Sequence, residues 1–417
     1  MTLTYNQASK SFLMVKMLRK EIPKLKLTNF LKVIGSSELI DKELYILDGV
    51  LNSKLKSSTI DDCHVVDAEN CILAPGFIDL QVNGLGKCNF WNSKPSYNEI
   101  DNLRIELAKS GVTGFCPTLI TAPTKKITES IDYINSYIKD FKNSPGAKIK
   151  GIHIEGIFIS KLGVHDKNYV QNELIQENVA PFIRDNVVLF TLAPELDKTG
   201  KAIKFLNENN ITVSVGHSNA TYLEGKNAIE KYGLRLVTHM FNALRGVEGF
   251  SHRGDSKSNL EVLKAKLNDE SKIKPDDGII LSILKDKKVF CMVIPDGVHV
   301  NLETINFLFE IKGKAGVAIV SDIISDDFHN EAKLKNMLGG GQNTLDKCVQ
   351  NLIKCNVLNT EDALLSASKS VIKGLNNTKC TNWGEMKTGM EANLVIWDTD
   401  KNAVKGTIIG QNLFLNY

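Results

Sequence analysis

The chain has no run of about 18 apolar residues, so its sequence offers no membrane-spanning helix. Its first residues, MTLTYNQASKSFLMVKML, contain no clean apolar core followed by a small-residue cleavage site, so no secretory signal peptide is expected. None of the eight cysteines, at 63, 71, 88, 116, 291, 348, 355 and 380, forms a CxxC pair. That spacing argues against both a disulfide framework and a cysteine zinc cluster, and the thiols are expected to be reduced, in the cytoplasm. Charge of one sign is also lacking. A formal net charge of +3 over 417 residues makes no case for nucleic acid or a membrane surface as partner. No GxGxxG follows a strand, no GxxxxGK[ST] is present, and there is no low-complexity tract or short-period repeat.

What is present fits a soluble globular protein, with 42% hydrophobic and 24% charged residues. From about residue 70 onward, apolar strand candidates alternate with helix-like stretches. The strands are CILAPGFIDLQVN (71–83), VTGFCPTLIT (112–121), KIKGIHIEGIF (148–158), NVVLFTLAPE (186–195), ITVSVGHS (211–218), RLVTHMFNA (235–243), VFCMVIPDGVHV (289–300) and GVAIVSDII (316–324). This rhythm predicts a parallel sheet, and eight units are what a closed (β/α)8 barrel requires. Residues 1–70 and the tail from 385 to 417 read instead as short antiparallel strands. The expected division is a barrel over 71–384 and one small β domain built from both ends of the chain.

The polar residues of these strands sit at their C-terminal ends: Asp79, Gln81 and Asn83; His153 and Glu155; His217; His239 and Asn242; Asp296 and His299; and Asp322. In a parallel barrel those ends share one face, where barrel enzymes place their chemistry. Glu155, His217 and His239 together match a catalytic zinc site with a position open to water. Any one of the histidines taken alone reads equally as a satisfied core residue. Asp322 reads either as a turn or helix-capping residue or as a general base and acid. His299 either begins the next helix or polarises a carbonyl. Arg253 in SHRGD reads as a surface charge or an anion ligand, and MLGGGQNTLDK (337–347) as a loop or a backbone cradle for a ligand, with the plain loop preferred.

The stretches APGFIDLQVNG, TGFCPTLIT, GIHIEG, TLAPE, VSVGHSNATY, THMFNAL, DGVHVN and VSD, followed by LLSASKSVIKGL and GMEANLVIWD, occur in an order that resembles the N-acetylglucosamine-6-phosphate deacetylases of the amidohydrolase superfamily. The resemblance covers roughly residues 70–400. It implies a TIM-type (β/α)8 barrel with a small β-sandwich domain from both termini, and hydrolysis of the N-acetyl group of a sugar phosphate. It implies one divalent metal ion per subunit, zinc being expected, on Glu155, His217 and His239. Asp322 would be the general base and acid, and His299 would contact the reacting amide. Val164, His165, Asn242, Ala243, Arg253, the loop Asp296, Gly297, Val298 and His299, and Leu338, Gly339 and Gly340 would contact substrate. A homodimer is also implied. Gln81 and Asn83 stand where many amidohydrolases carry His-x-His, which favours a single metal, since amides are poor zinc ligands. Ile157 stands where the family usually has proline, and the connection SDIISDDFHNEAKLKNMLGGG after strand eight is shorter than usual.

Overall fold

Eight parallel strands follow the expected rhythm. They are β1 (Phe77–Val82), β2 (Val112–Ile120), β3 (Ile152–Glu155), β4 (Val187–Leu192), β5 (Thr212–Val215), β6 (Leu236–Val237), β7 (Phe290–Val293) and β8 (Val317–Ile319). Each pairs with its neighbour in sequence order. A parallel bridge between Val82 and Ile323 closes the ring, reinforced by the Asn83 N–H donating to the Ile323 carbonyl at 2.8 Å. The computed structural model describes residues 19–39, 42–54, 62–91, 94–141, 143–253, 259–334, 339–375, 377, 380 and 382–416.

The helices between the strands form for local reasons. Ser96 caps helix Tyr97–Lys109 in a reciprocal capping box with Glu99. The helix buries Ile100, Leu103, Leu107 and Ala108 at helical spacing. Helix Thr124–Asp140 buries Ile127, Ile131, Ile134 and Tyr137 in the same way. Each Leu or Ile so buried contributes on the order of 1.5–3 kcal/mol. These faces join the outward residues of the strands in one continuous core. A separate cluster that includes Cys116, Leu189, Leu236, Met292 and Val320 fills the barrel interior, with Cys380 and Trp383 packed among them.

The run 71–83 divides at Gly76. A side chain there would meet the Thr113 side chain at 2.2 Å, so the chain can pass that point only as glycine. The first part, Cys71–Pro75, leaves the barrel and pairs antiparallel with Asn393–Asp398. It belongs to a six-stranded sheet that also takes Arg19–Glu21, Lys32–Val33, Ala403–Ile409 and Asn412–Leu415. A four-stranded sheet over Lys24–Thr28, Leu44–Leu47, Val50–Asn52 and His64–Asp67 lies opposite it. Leu25, Leu27, Ile46, Leu394, Ile396 and Leu413 close the space between them. Both ends of the chain therefore build this small β-sandwich.

The expected strands end early, β6 and β7 by most. β6 covers two residues rather than the whole of 235–243, because His239, Phe241 and Ala243 adopt positive φ of 33°, 78° and 50° and turn the chain. β7 stops before Pro295, which has no N–H to continue the ladder. All eight cysteines are free. No helix among the described residues is long and apolar enough to cross a membrane.

Candidate active site

Glu155 ends β3, His217 lies two residues beyond β5, His239 two beyond β6, and all three are buried. His239 Nε2 lies 2.9 Å from Glu155 Oε1, and His217 Nε2 lies 3.3 Å from the same oxygen. The two Nε2 atoms are 3.2 Å apart. The Nδ1 atom of His217 faces the Lys161 carbonyl at 2.8 Å; a carbonyl only accepts, so Nδ1 carries a proton, and in the neutral ring the Nε2 lone pair points inward. Gln81 Nε2 donates to the second oxygen of Glu155 at 2.8 Å, which fixes the carboxylate plane. Among the described residues this is the one group of three metal-type ligands whose donor atoms lie within 4.8 Å of one another. Converging lone pairs of this kind fit a divalent cation, and the donor types fit a catalytic metal. The two histidine ligands sit in left-handed backbone, at φ 50° and 33°, as does Asp322 at 51°. Strain of this sort gathers at functional sites because packing elsewhere must hold it.

Asp322 lies beyond β8 and faces the same cavity, of about 450 Å³. Its Oδ1 accepts from Asn83 Nδ2 at 2.7 Å. Burial pushes its carboxyl up to about 7, and the charge of Glu155 adds to this; His239, His299 and the Asn83 bond work against the rise. His299 gives Nδ1–H to Asp296 Oδ2 at 2.7 Å and Nε2–H to the Gly339 carbonyl at 2.7 Å. With both nitrogens donating, the ring is an imidazolium. Burial alone would lower its pKa, but the hydrogen bond and charge of Asp296 prevail and raise it.

The amidohydrolase family profile matches residues 72–413. The chain belongs to the amidohydrolase family. A Caenorhabditis elegans protein named N-acetylglucosamine-6-phosphate deacetylase is 29% identical to this amidohydrolase over 425 residues, covering 92% of this chain and 93% of its own. A Danio rerio protein of the same name is 28% identical over 384 residues, covering 84% and 86%. The crystal structure of N-acetylglucosamine-6-phosphate deacetylase from Pasteurella multocida superposes with a TM-score of 0.76 at 24% identity, covering 94% of this chain and 100% of that one, and so shares the fold.

In this amidohydrolase the other expected residues divide into two groups. Val164, His165, Asn242, Ala243, Arg253, Gly339 and Gly340 line the cavity with the metal-type ligands, Asp322 and His299. Asp296 holds His299 from behind. Gly297 and Val298 are not part of the wall, and Val298 is exposed. Leu338 lies outside the described residues. His165 receives the Thr121 hydroxyl at 2.7 Å on Nδ1, and the Thr121 backbone N–H from 3.4 Å. Burial drives its pKa well below the ordinary value, so it stays neutral. A Cβ at Gly156 (φ 109°) would lie 2.4 Å from the Thr121 hydroxyl and 3.0 Å from His165, which explains the glycine after Glu155. Ile157 has φ 50° and donates its N–H to Thr121 Oγ1 at 3.2 Å; proline allows neither.

Apart from residues without a polar side-chain group, such as Ile120, Phe241 and Ile294, sequence reasoning missed three residues of this wall: Trp91, Lys161 and His252. His252 precedes Arg253 in SHRGD, where only the arginine stood out as a candidate. Burial first, then the charges of Arg253, Lys161 and His299, lower His252 to about 4. Glu195, at the end of TLAPE, accepts the Ser218 hydroxyl and the Asn219 N–H, both at 2.7 Å, and so ties down the loop after His217.

Proposed function

We propose that the chain hydrolyses the amide of N-acetylglucosamine 6-phosphate, giving acetate and glucosamine 6-phosphate, in amino-sugar breakdown. The observation that carries this reading is the convergence of Glu155, His217 and His239 across one cavity from Asp322. The names of relatives that align over most of the chain supply the substrate. Glu155 Oε1 and the Nε2 atoms of His217 and His239 would hold one divalent cation, and zinc suits two imidazoles and a carboxylate. When bound, such an ion supplies Lewis acidity, making water a better acid and polarising the amide carbonyl. Asp322 acts at the proton-transfer steps. Asn83 holds its Oδ1, so Oδ2 takes the proton of the attacking water and then passes it to the departing amine nitrogen. A carboxyl raised toward neutrality is suited to both transfers. The imidazolium of His299 stabilises the negative charge that develops on the carbonyl oxygen. Lys161 and Arg253 supply the cations of this part of the wall, with the neutral His252 beside them, and the group suits the phosphate. A homodimer in the cytoplasm completes the proposal and rests on the resemblance.

The test is a single sample measured twice: divalent metal per chain, and acetate released from N-acetylglucosamine with and without the 6-phosphate. The expected result is one metal per chain and release that depends on the phosphate. A metal-loaded sample that releases no acetate from either sugar overturns the reading.

A further inference from the structure

Trp91 carries none of the roles expected from the sequence, yet its indole lines the cavity. Its Nε1–H reaches Asn83 Oδ1 at 2.9 Å. The other end of that amide, Nδ2, donates to Asp322 Oδ1 at 2.7 Å and to the Asp322 carbonyl from 3.3 Å. We propose that Trp91 is a positioning residue, acting on Asp322 through Asn83. The inference rests on the role given to Asp322 above.

The chemistry of the three groups sets the direction of the relay. An indole N–H can only donate, so the Asn83 atom that faces it must be the oxygen. The two ends of an amide are otherwise nearly interchangeable in shape, and the indole decides between them. Trp91, Asn83 and Asp322 are all buried, Asn83 almost completely and away from the cavity wall, so its amide depends on these two partners. Asn83 is anchored at its own backbone, where its N–H meets the Ile323 carbonyl at the barrel seam. Trp91 is held in turn from two sides. Its N–H donates to Asn89 Oδ1 at 2.8 Å, and its ring meets Phe328 edge-on at 4.3 Å and 81°. Phe328 belongs to helix Asp326–Leu334, which begins four residues after Asp322. The loop after β1 and the helix after β8 thus meet over the carboxylate, in the connection that is shorter than its relatives' by the sequence reading. A carboxylate held at Oδ1 presents Oδ2 in one direction, whereas a loosely held one spends time turned away from the reacting atoms.

Trp91→Phe keeps an aromatic ring to face Phe328 and removes the N–H together with the rest of the pyrrole ring, so the comparison across backgrounds separates the hydrogen bond from packing. The expected result is a fall in kcat of about tenfold with KM changed less than about twofold, the size of one buried hydrogen bond in a polar chain. Asn83→Ala, or Asn83→Ser where the alanine chain does not fold, lowers kcat further, and adding Trp91→Phe to it changes nothing more. Equal losses from Trp91→Phe in both backgrounds mean that the indole acts by packing, and overturn the proposal; so does an unchanged kcat in the single variant. A second readout needs no substrate. In protein labelled with ¹⁵N-tryptophan, the indole N–H signal that Trp91→Phe removes should shift and exchange faster with solvent in the Asn83 variant. If the wild-type chain releases no acetate, the proposed function fails, and this signal alone decides the relay: an unmoved signal refutes it.

Discussion

Replacing His153 by asparagine tests how the barrel holds the strands beneath its metal-type ligands. His153 is fully buried, two residues before Glu155. Its Nδ1–H donates to the Leu80 carbonyl at 3.0 Å, which leaves Nε2 to accept the Thr191 hydroxyl at 2.7 Å. Thr191, Thr238 and Ser214 continue the chain at 2.6 and 2.7 Å, one hydroxyl to the next. Burial lowers the imidazole to about 4, against smaller raising effects from the Glu155 charge and the Leu80 bond. The unfolded chain titrates this group near 6.5, so between the two values the unfolded state binds more protons. The folded-state pKa is the depressed one, so the stability is present above about 6.5 and is lost as pH falls toward 4. The gap corresponds to about 3 kcal/mol.

Asparagine places Nδ2 where Nδ1–H stood, keeps the Leu80 bond and cannot titrate. It gives up the Thr191 bond, about 1 kcal/mol, and leaves a small void, on the order of 1–2 kcal/mol. The variant should therefore be about 2–3 kcal/mol less stable at pH 8, and the two proteins should converge near pH 4. The assay is urea unfolding of metal-free protein at pH 8, 6.5, 5 and 4, followed by fluorescence of the buried Trp91, Trp383 and Trp397. A gap that stays constant with pH would falsify the claim that burial holds His153 neutral.

Three further outcomes follow from the site. Glu155→Gln and His217→Ala should each weaken divalent metal binding by about 100-fold or more in competition with a chelator, and chelated wild-type protein should regain acetate release on adding zinc. Asp322→Asn should retain the metal while kcat falls roughly 10²–10⁴-fold; wild-type turnover would remove Asp322 from the mechanism. Asp296→Asn removes the two largest raising effects on His299 and leaves only the Gly339 carbonyl and the Asp322 charge against burial, so its positive charge is lost at lower pH than in the wild type. The alkaline limb of the kcat/KM profile should move down in pH, and an unmoved limb means that His299 does not act as a cation.

The ends of the barrel strands were legible because a carboxylate or imidazole closing an apolar run needs a partner, and a parallel barrel brings such ends together. Glu155, His217, His239 and Asp322 meet on that logic. The two-stranded reading of 71–83 was hidden, because the apolar pattern runs unbroken through Gly76 and only the approach of Thr113 shows why the chain changes sheets there. β6 was read too long, since nothing in THMFNA announces three non-glycine residues in left-handed backbone. Trp91, Lys161 and His252 sit on loops whose paths depend on distant packing, such as Phe328 against Trp91. Their spacing along the chain carries no period to read.

The sheet shared by the two ends of the chain also bears on synthesis. Cys71–Pro75 pairs with Asn393–Asp398, and Arg19–Glu21 with Asn412–Leu415, so these early segments wait for strands made more than 300 residues later. At about 5–20 residues per second the delay is on the order of 15–60 s. During that time Leu73 lacks its neighbours Leu394 and Ile396, and the edge of Cys71–Pro75 that Asn393–Asp398 later covers stays open to other chains. The barrel can be complete while that one edge is still unpartnered. Emergence of Asn393–Asp398 from the ribosome is then the event that covers this edge, and a chain cut short before Asn393 would keep its barrel residues but never bury it.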